Sequence, residues 1–324
     1  MKNFVRLIFL MLDFPLAWAA VFGVVLVDHI WISKTLFNIP SPWSALINFL
    51  FFINVKLLCN SLVSVYGITS QRTVSFLKSC LLGFEVVLLL RGGAYAFCIL
   101  AYLFCGLDHP LIDQQLAKLD QAIGFDWYKA LQWSQTQPIY IVLKIAYASL
   151  IPQLVLIVGC SIFHRNKERL HEMFWILFFS LLITVVVSGF MPALGPAQTF
   201  GLESYLAHIQ TEFKAISSQV LAIRSEKSFS TTSILGIIAF PSFHAISSIV
   251  YIYSSRRFGI WSWVIFLLNC NMLISTLIFG NHYLVDLIAG AVVAIINILL
   301  VRMFIHNQNY SDSKSVPPSL GLRS

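Results

Sequence analysis

The spacing with most chemical content in this 324-residue chain is His282–x–x–x–Asp286, within Gly280–Asn281–His282–Tyr283–Leu284–Val285–Asp286. Residues four apart share one helix face. The carboxylate can then accept a hydrogen bond from one ring nitrogen and leave the other as a nucleophile or base. A structural His–Asp pair tying two helices together is the competing reading, and the pair alone does not choose between them. A second constellation is Phe240–Pro241–Ser242–Phe243–His244–Ala245. Proline suits a helix start and serine caps one. Free backbone N–H groups at such a start bind anions, phosphate included. His244, one turn inside, is then placed to protonate a leaving oxygen. Alone, this segment reads as an ordinary capped helix with an interfacial histidine. Together, two histidines and a carboxylate suit a phosphohistidine mechanism: His282 attacks phosphorus, Asp286 orients it, His244 protonates the departing alcohol, and an acceptor releases the phosphoryl group.

These residues must be positioned in lipid. The chain is 58% hydrophobic and 11% charged, with mean hydropathy +0.81, whereas soluble domains are about a quarter charged. Its apolar runs are long enough to cross a bilayer as helices, and the short alternating segments of a β-barrel are not seen. Eight spans are predicted, near Phe9–Ile30, Ala45–Tyr66, Leu81–Cys105, Ile139–Phe163, Phe174–Leu194, His244–Ser255, Gly259–Phe279 and His282–Ile305. The sixth is short unless Ile234–Phe240 belongs to it. The first loosely resembles a signal peptide around Ala17–Trp18–Ala19–Ala20, but Asp13 and Pro15 interrupt its apolar core and favour a retained helix. The expected fold is an all-α polytopic membrane protein of about eight transmembrane helices. Residues 1–72 hold two N-terminal helices. Residues 73–306 form a six-helix catalytic membrane domain with outer loops 106–138 and 195–236, and 307–324 form a disordered cytoplasmic tail. Loop 106–138 carries Leu111, Leu116, Leu119, Ile123 and Trp127 near helical spacing, which predicts an amphipathic interfacial helix. Loop 195–236 reads as a lid or re-entrant cap.

Charge gives the orientation. With the N-terminus inside, the cytoplasmic segments hold Lys2, Arg6, Arg72, Lys78, Arg165, Lys167, Arg169, Arg256, Arg257, Arg302, Lys314 and Arg323. The opposite side holds only Lys34, Lys118, Lys129, Lys214, Arg224 and Lys227, and Lys56, Arg91 and Lys144 fall within spans. The excess predicts an integral inner- or plasma-membrane protein with both termini cytoplasmic and the histidine cluster on the extracytoplasmic side. The net charge of +7 follows from the same loops; no basic-aromatic patch of a nucleic-acid binder is present. The six cysteines lie in or beside apolar runs, none as Cys-x-x-Cys, and read as small hydrophobes. His29, His109, His164, His171, His208 and His306 show no metal-ligand spacing, and phosphohistidine chemistry requires neither metal nor cofactor.

Pro241–Ser242–x–His244–Ala245 followed by His282–x–x–x–Asp286 resembles the second and third signatures of the type 2 phosphatidic acid phosphatase superfamily, Pro-Ser-Gly-His and Ser-Arg-(five residues)-His-(three residues)-Asp. The resemblance covers about the last six spans. It implies His282 as nucleophile, Asp286 as its partner and His244 as acid, with Ser275 at the serine of the third signature. Three departures stand out. The basic first signature is missing, with Ser188 and Gly195 in its charged positions before Pro196; Phe243 replaces the glycine; Thr276 replaces the arginine. This altered pattern is closer to the inositol phosphorylceramide synthase branch, the aureobasidin target. That branch has Phe-Pro-Ser-x-His, and Ser-Thr before His-Tyr-x-x-Asp. Leu119–Asp120–Gln121–Ala122–Ile123–Gly124–Phe125–Asp126–Trp127 and Pro192–x–x–Gly195–Pro196 also resemble bacterial members.

The resemblance implies a membrane phosphotransferase that uses a phospholipid or lipid phosphate as substrate and a lipid, an alcohol or water as acceptor. With water, the same chemistry makes a lipid phosphate or diphosphate phosphatase. Candidate substrate-binding residues are Ser242, Asn281, Ser275, Gly195 and two cations inside spans, Lys144 and Arg91. Arg91 reads equally as a structural partner of Glu85. A transporter or scaffold is the reading from another class; transporters carry broken helices near the midplane, whereas these polar residues sit at helix ends.

Overall fold

The computed structural model describes residues 12–67, 70–163, 167–201, 210–225, 230 and 233–315. Among them every regular element is a helix. In chain order these are α1 (Pro15–Ile32), α2 (Ser44–Val65), α3 (Gln71–Cys105), α4 (Asp113–Ala122), α5 (Trp127–Ser134), α6 (Ile139–Ala148), α7 (Leu150–Phe163), α8 (Lys167–Phe190), α9 (Pro196–Thr199), α10 (Gln210–Ser225), α11 (Phe243–Ser255), α12 (Ile260–Phe279) and α13 (Leu284–Ser315).

Six of these, α1, α2, α3, α8, α12 and α13, are long and apolar enough to cross a membrane. The fourth predicted span is instead a bent pair: α6 and α7 meet at 54°. Pro152 explains the break, because it lacks an N–H and its ring crowds the carbonyl four residues back. Ser149 Oγ turns onto Ala146 O at 2.6 Å there. The sixth predicted span is also shorter than a crossing. α11 has 13 residues, and Ile234–Ala239 is irregular rather than an extension of it. α11 packs against α7, α8, α12 and α13. Ala245, Ile246, Ser247, Ser248, Val250, Tyr251, Ser254 and Ser255 are all buried. A helix enclosed by protein need not match the bilayer, and its small residues allow close approach. With these two adjustments, a helix lies at each of the eight predicted positions.

Loop 106–138 holds two short helices where one was expected. They are separated by Gly124, whose φ is +79°, and α5 is capped by Asp126, which accepts from Lys129 N at 3.1 Å. α13 runs past Asn307 to Ser315, so that part of the expected tail is helical; residues 316–324 lie outside the described residues. Of the predicted lid 195–236, residues 195–201, 210–225, 230 and 233–236 are described, with α9 and α10; the rest, Lys227 included, lies outside the described residues.

Charges in the N-terminal half pair differently from the sequence reading. Glu85, buried in α3, accepts from Asp13 N and Phe14 N at 3.1 Å and from Trp18 Nε1 at 3.2 Å, so it caps the start of α1. Lys56 lies 3.1 Å from Asp13 and 3.9 Å from Glu85, and Lys167 also pairs with Asp13. The Arg91–Glu85 pairing is therefore not the arrangement: Arg91 is exposed. Six residues put the two side chains on different faces of α3.

Candidate active site

The catalytic candidates gather where α12 ends and α11 and α13 begin. α12 closes with Gly280 N donating to Thr276 O at 3.0 Å. Asn281 follows with φ +53°, a left-handed conformation that asparagine tolerates better than most residues. Its side chain fastens the turn: Oδ1 accepts from Ala197 N at 2.8 Å and Nδ2 donates to Leu194 O at 3.0 Å. Gly195, φ +96°, lies against this residue, and a Cβ there would collide with the Asn281 carbonyl and side-chain amide. Asn281 and Gly195, both read as substrate-binding candidates, thus hold backbone to backbone.

His282 is buried, and its Nδ1 lies 3.3 Å from Asp286 Oδ2, a long hydrogen bond. The same oxygen accepts from Tyr283 N at 2.8 Å. Asp286 is therefore the third residue of α13 reaching back to the N–H before the helix, half of a capping box, as well as the partner of the imidazole. Its other oxygen, Oδ1, is buried without a hydrogen-bond partner.

Ser242 caps α11 as expected, accepting from Ala245 N at 3.3 Å. His244 is the second residue of α11 and not a turn inside it. The His244 and His282 ring centroids are 6.1 Å apart, with planes at 65°. Tyr147 of α6 stacks on His244, at 4.8 Å and 21°. The bend after α6, two residues on, lets this helix lean over the cluster.

Other residues belong to the site that sequence reasoning missed. Asp120 of α4 accepts from Leu284 N and Val285 N, each at 2.9 Å. Burial raises its carboxyl pKa, and the two N–H donors oppose that rise. Asp113 accepts from Leu194 N at 3.0 Å, from Gly195 N at 2.8 Å and from the Tyr283 hydroxyl at 3.1 Å. The available signal was a pair of carboxylates seven apart on the apolar side of α4, beside Leu116 and Ala117.

The remaining candidates stand apart. Ser275 and Thr276 turn their hydroxyls onto Met272 O of their own helix, at 2.8 and 2.7 Å. Lys144 is exposed on α6, away from the buried Leu143 and Ala146. Arg224 of α10, which is outside that candidate set, is likewise engaged, by Asp108 at 3.0 Å and His109 O at 2.6 Å. The carboxylates brought to the α13 start besides Asp286 are Asp113, on the Tyr283 hydroxyl, and Asp120, on Leu284 N and Val285 N. A narrow cleft beside the turn is lined by Leu194, Ile216 and Val220 of α10, Ala239, Gly280 and Asn281.

A helical membrane bundle with a His–Asp pair facing a second histidine is the architecture that the motifs led one to expect. The model of the type 2 phosphatidic acid phosphatase (PAP2) superfamily matches residues 114–300, more than half of the chain, and the chain belongs to that superfamily. It is accordingly a membrane enzyme of the phosphatase and phosphotransferase type. No curated protein and no solved structure matches the chain.

Proposed function

We propose that this enzyme transfers a phosphoryl-linked headgroup from a lipid phosphoester through a phosphohistidine intermediate, in the manner of inositol phosphorylceramide synthase. The observation that carries the reading is the His282–Asp286 pair at 3.3 Å with His244 opposite, ring to ring at 6.1 Å. His282 Nε2 attacks phosphorus while Asp286 holds Nδ1. The bond from phosphorus to the lipid oxygen breaks, and His244 gives that oxygen its proton. In the second half the acceptor hydroxyl loses its proton to His244 and attacks phosphorus, and the P–N bond breaks to restore His282.

The charge around the site supports an ester-linked headgroup. Asp113 and Asp120 bring two carboxylates to the α13 start, and Arg91 and Lys144 are exposed elsewhere. A phosphodiester brings one negative charge, fewer than an ionised monoester, so fewer cations are needed to hold it. The basic-residue excess supports both termini in the cytoplasm and the site on the extracytoplasmic side.

The test is to incubate the purified protein, in nanodiscs, with labelled phosphatidic acid, phosphatidylglycerol and phosphatidylinositol, with and without diacylglycerol or ceramide. Headgroup transfer that requires the added alcohol is the expected result. Release to water at the same rate with or without alcohol would make the enzyme a lipid phosphatase instead.

A further inference from the structure

A helix start leaves backbone N–H groups without intrahelical partners. In α13 two of them, on Leu284 and Val285, go to the two oxygens of one carboxylate, Asp120, at 2.9 Å each and from more than 160 residues earlier in the chain. Asp120 is 1% exposed. The residue before the helix cannot serve, because Tyr283 has its hydroxyl on Thr199 and Asp113. The one other carboxylate at this start is Asp286. Its Oδ2 is shared between Tyr283 N and His282, and its Oδ1 has no hydrogen-bond partner. Two turns along the same side of α4, Asp113 ties Leu194, Gly195 and Tyr283 together. Leu116 and Ala117 lie between the two aspartates and pack in one cluster with Tyr283 and Ala193.

We infer that Asp120 is a positioning residue of the His282 centre, braced by Asp113: it takes the open N–H groups of the α13 start, so that Asp286 stays on the imidazole. Without Asp120, two half-buried N–H donors face an unsatisfied oxygen of Asp286 a turn or less away. Bonding to them would draw that carboxylate off His282. A donor left unpaired where water reaches it only in part carries a desolvation cost that favours such a shift. The carboxylate of Asp120 also suits the positive end of the helix dipole. α4 is thus a splint laid across the catalytic turn from an outer loop. This role rests on the reading of His282 and Asp286 given above.

The experiment compares wild type, Asp120→Asn, Asp120→Glu, Asp286→Asn and the Asp120→Asn/Asp286→Asn double variant in nanodiscs. The probe is bis(4-nitrophenyl) phosphate, a monoanionic diester, and Asp126→Asn on the exposed cap of α5 is the control. Asp120→Asn is expected to lower kcat by about 10- to 100-fold with KM within about threefold, the scale of a small misplacement in a reacting group. Asp120→Glu, which keeps both acceptor oxygens, is expected to recover about tenfold of that loss. Because the effect runs through Asp286, the double variant should be within about threefold of Asp286→Asn alone. Amide exchange at Leu284 and Val285 should quicken in Asp120→Asn and not in the control. Losses that multiply in the double variant would overturn the positioning role, as would a normal kcat in Asp120→Asn despite faster exchange. Should Asp120→Asn fail to fold, Asp120→Glu with and without Asp286→Asn makes the same comparison. Wild-type turnover surviving in His282→Ala would overturn the reading of the site itself, and the positioning role with it. A normal His282→Ala loss beside an unaffected Asp120→Asn overturns positioning alone.

Discussion

The backbone N–H of Ser242 donates to the carbonyl of Asp286 at 3.1 Å. The start of α11, which carries His244, is thereby joined to the first turn of α13, which carries the partner of His282. One turn further along α13, Gly290 lies against the Ser242 carbonyl, and a Cβ there would run into that oxygen and come within 3.1 Å of Ala245 Cβ. The distance between the two histidines thus depends on a bond between backbones and on a missing side chain.

Gly290→Ala should therefore force α11 and α13 apart at the site. The colliding atom is backbone, and it cannot move without straining the Ser242–Asp286 bond. Overpacking of this kind costs about 1–3 kcal/mol. A lower melting temperature is expected, together with a turnover loss of about tenfold or more as the histidines separate. Gly23→Ala in α1, where a Cβ meets nothing within 4 Å, is the matched control and should leave both unchanged. Equal behaviour of the two variants in melting and turnover would sink the argument.

A second glycine is tested by its backbone as well as its space. Gly195 has φ +96° and abuts Asn281. Gly195→Ala combines left-handed strain, about 1–3 kcal/mol, with a clash that pushes on the turn before His282. Turnover is expected to fall further than for Gly290→Ala, because the displaced residue is the nucleophile's neighbour. Thermal melting alongside kinetics checks it; full activity with an unchanged melt would show that the turn is more forgiving than its geometry.

How much of this was legible beforehand depends on how local each interaction is. His282 and Asp286 could be paired from spacing alone, because a helix brings residues four apart together. Ser242 could be read as a cap because its partner, Ala245, is three residues away. Asp120 could not be assigned a role in this way: its partners Leu284 and Val285 are backbone groups on a distant helix, and backbone groups leave no mark in a sequence. A charge inside a span usually has a partner, which recommends Arg91 and Lys144 in the sequence, yet both side chains are exposed. Lys56 was the span cation that did find partners, in Asp13 and Glu85. The bounds of α11 are legible to within a residue, His244–Ser255 against Phe243–Ser255; what the sequence does not show is that burial among neighbouring helices relieves so short a helix of the need to span lipid. The break at Ser149 had a visible cause, Pro152, inside an apolar run that otherwise reads as continuous.

Orientation can be measured directly. A reporter fused after Asn281 should read as extracytoplasmic and one after Arg257 as cytoplasmic, following the basic-residue excess on the Arg257 side. The two positions lie at opposite ends of α12, so the reporters must disagree. The reverse pattern would move the histidine cluster to the cytoplasmic face.

The division of labour within the cluster makes the sharpest prediction. His282→Ala should abolish turnover and any covalent phosphoenzyme, because no other described imidazole is paired with a carboxylate at this helix start. Asp286→Asn keeps the shape of the side chain and can still accept from Tyr283 N, so the fold should survive. What it loses is the charge that orients the ring, and a fall of about 100-fold or more is expected on the scale of other oriented histidines. His244 faces His282 ring to ring at 6.1 Å beneath Tyr147. As the acid it matters only when the leaving oxygen needs a proton. His244→Ala should therefore spare a nitrophenyl phosphodiester, whose leaving group departs as a stable anion, while suppressing a lipid alkoxide substrate by about 100-fold or more. That contrast separates chemistry from folding, since a misfolded protein loses both substrates alike. Equal losses on the two substrates, in a protein that still melts cooperatively, would remove His244 from the acid role. Labelling on histidine that persists in His282→Ala would shift the nucleophile to another ring.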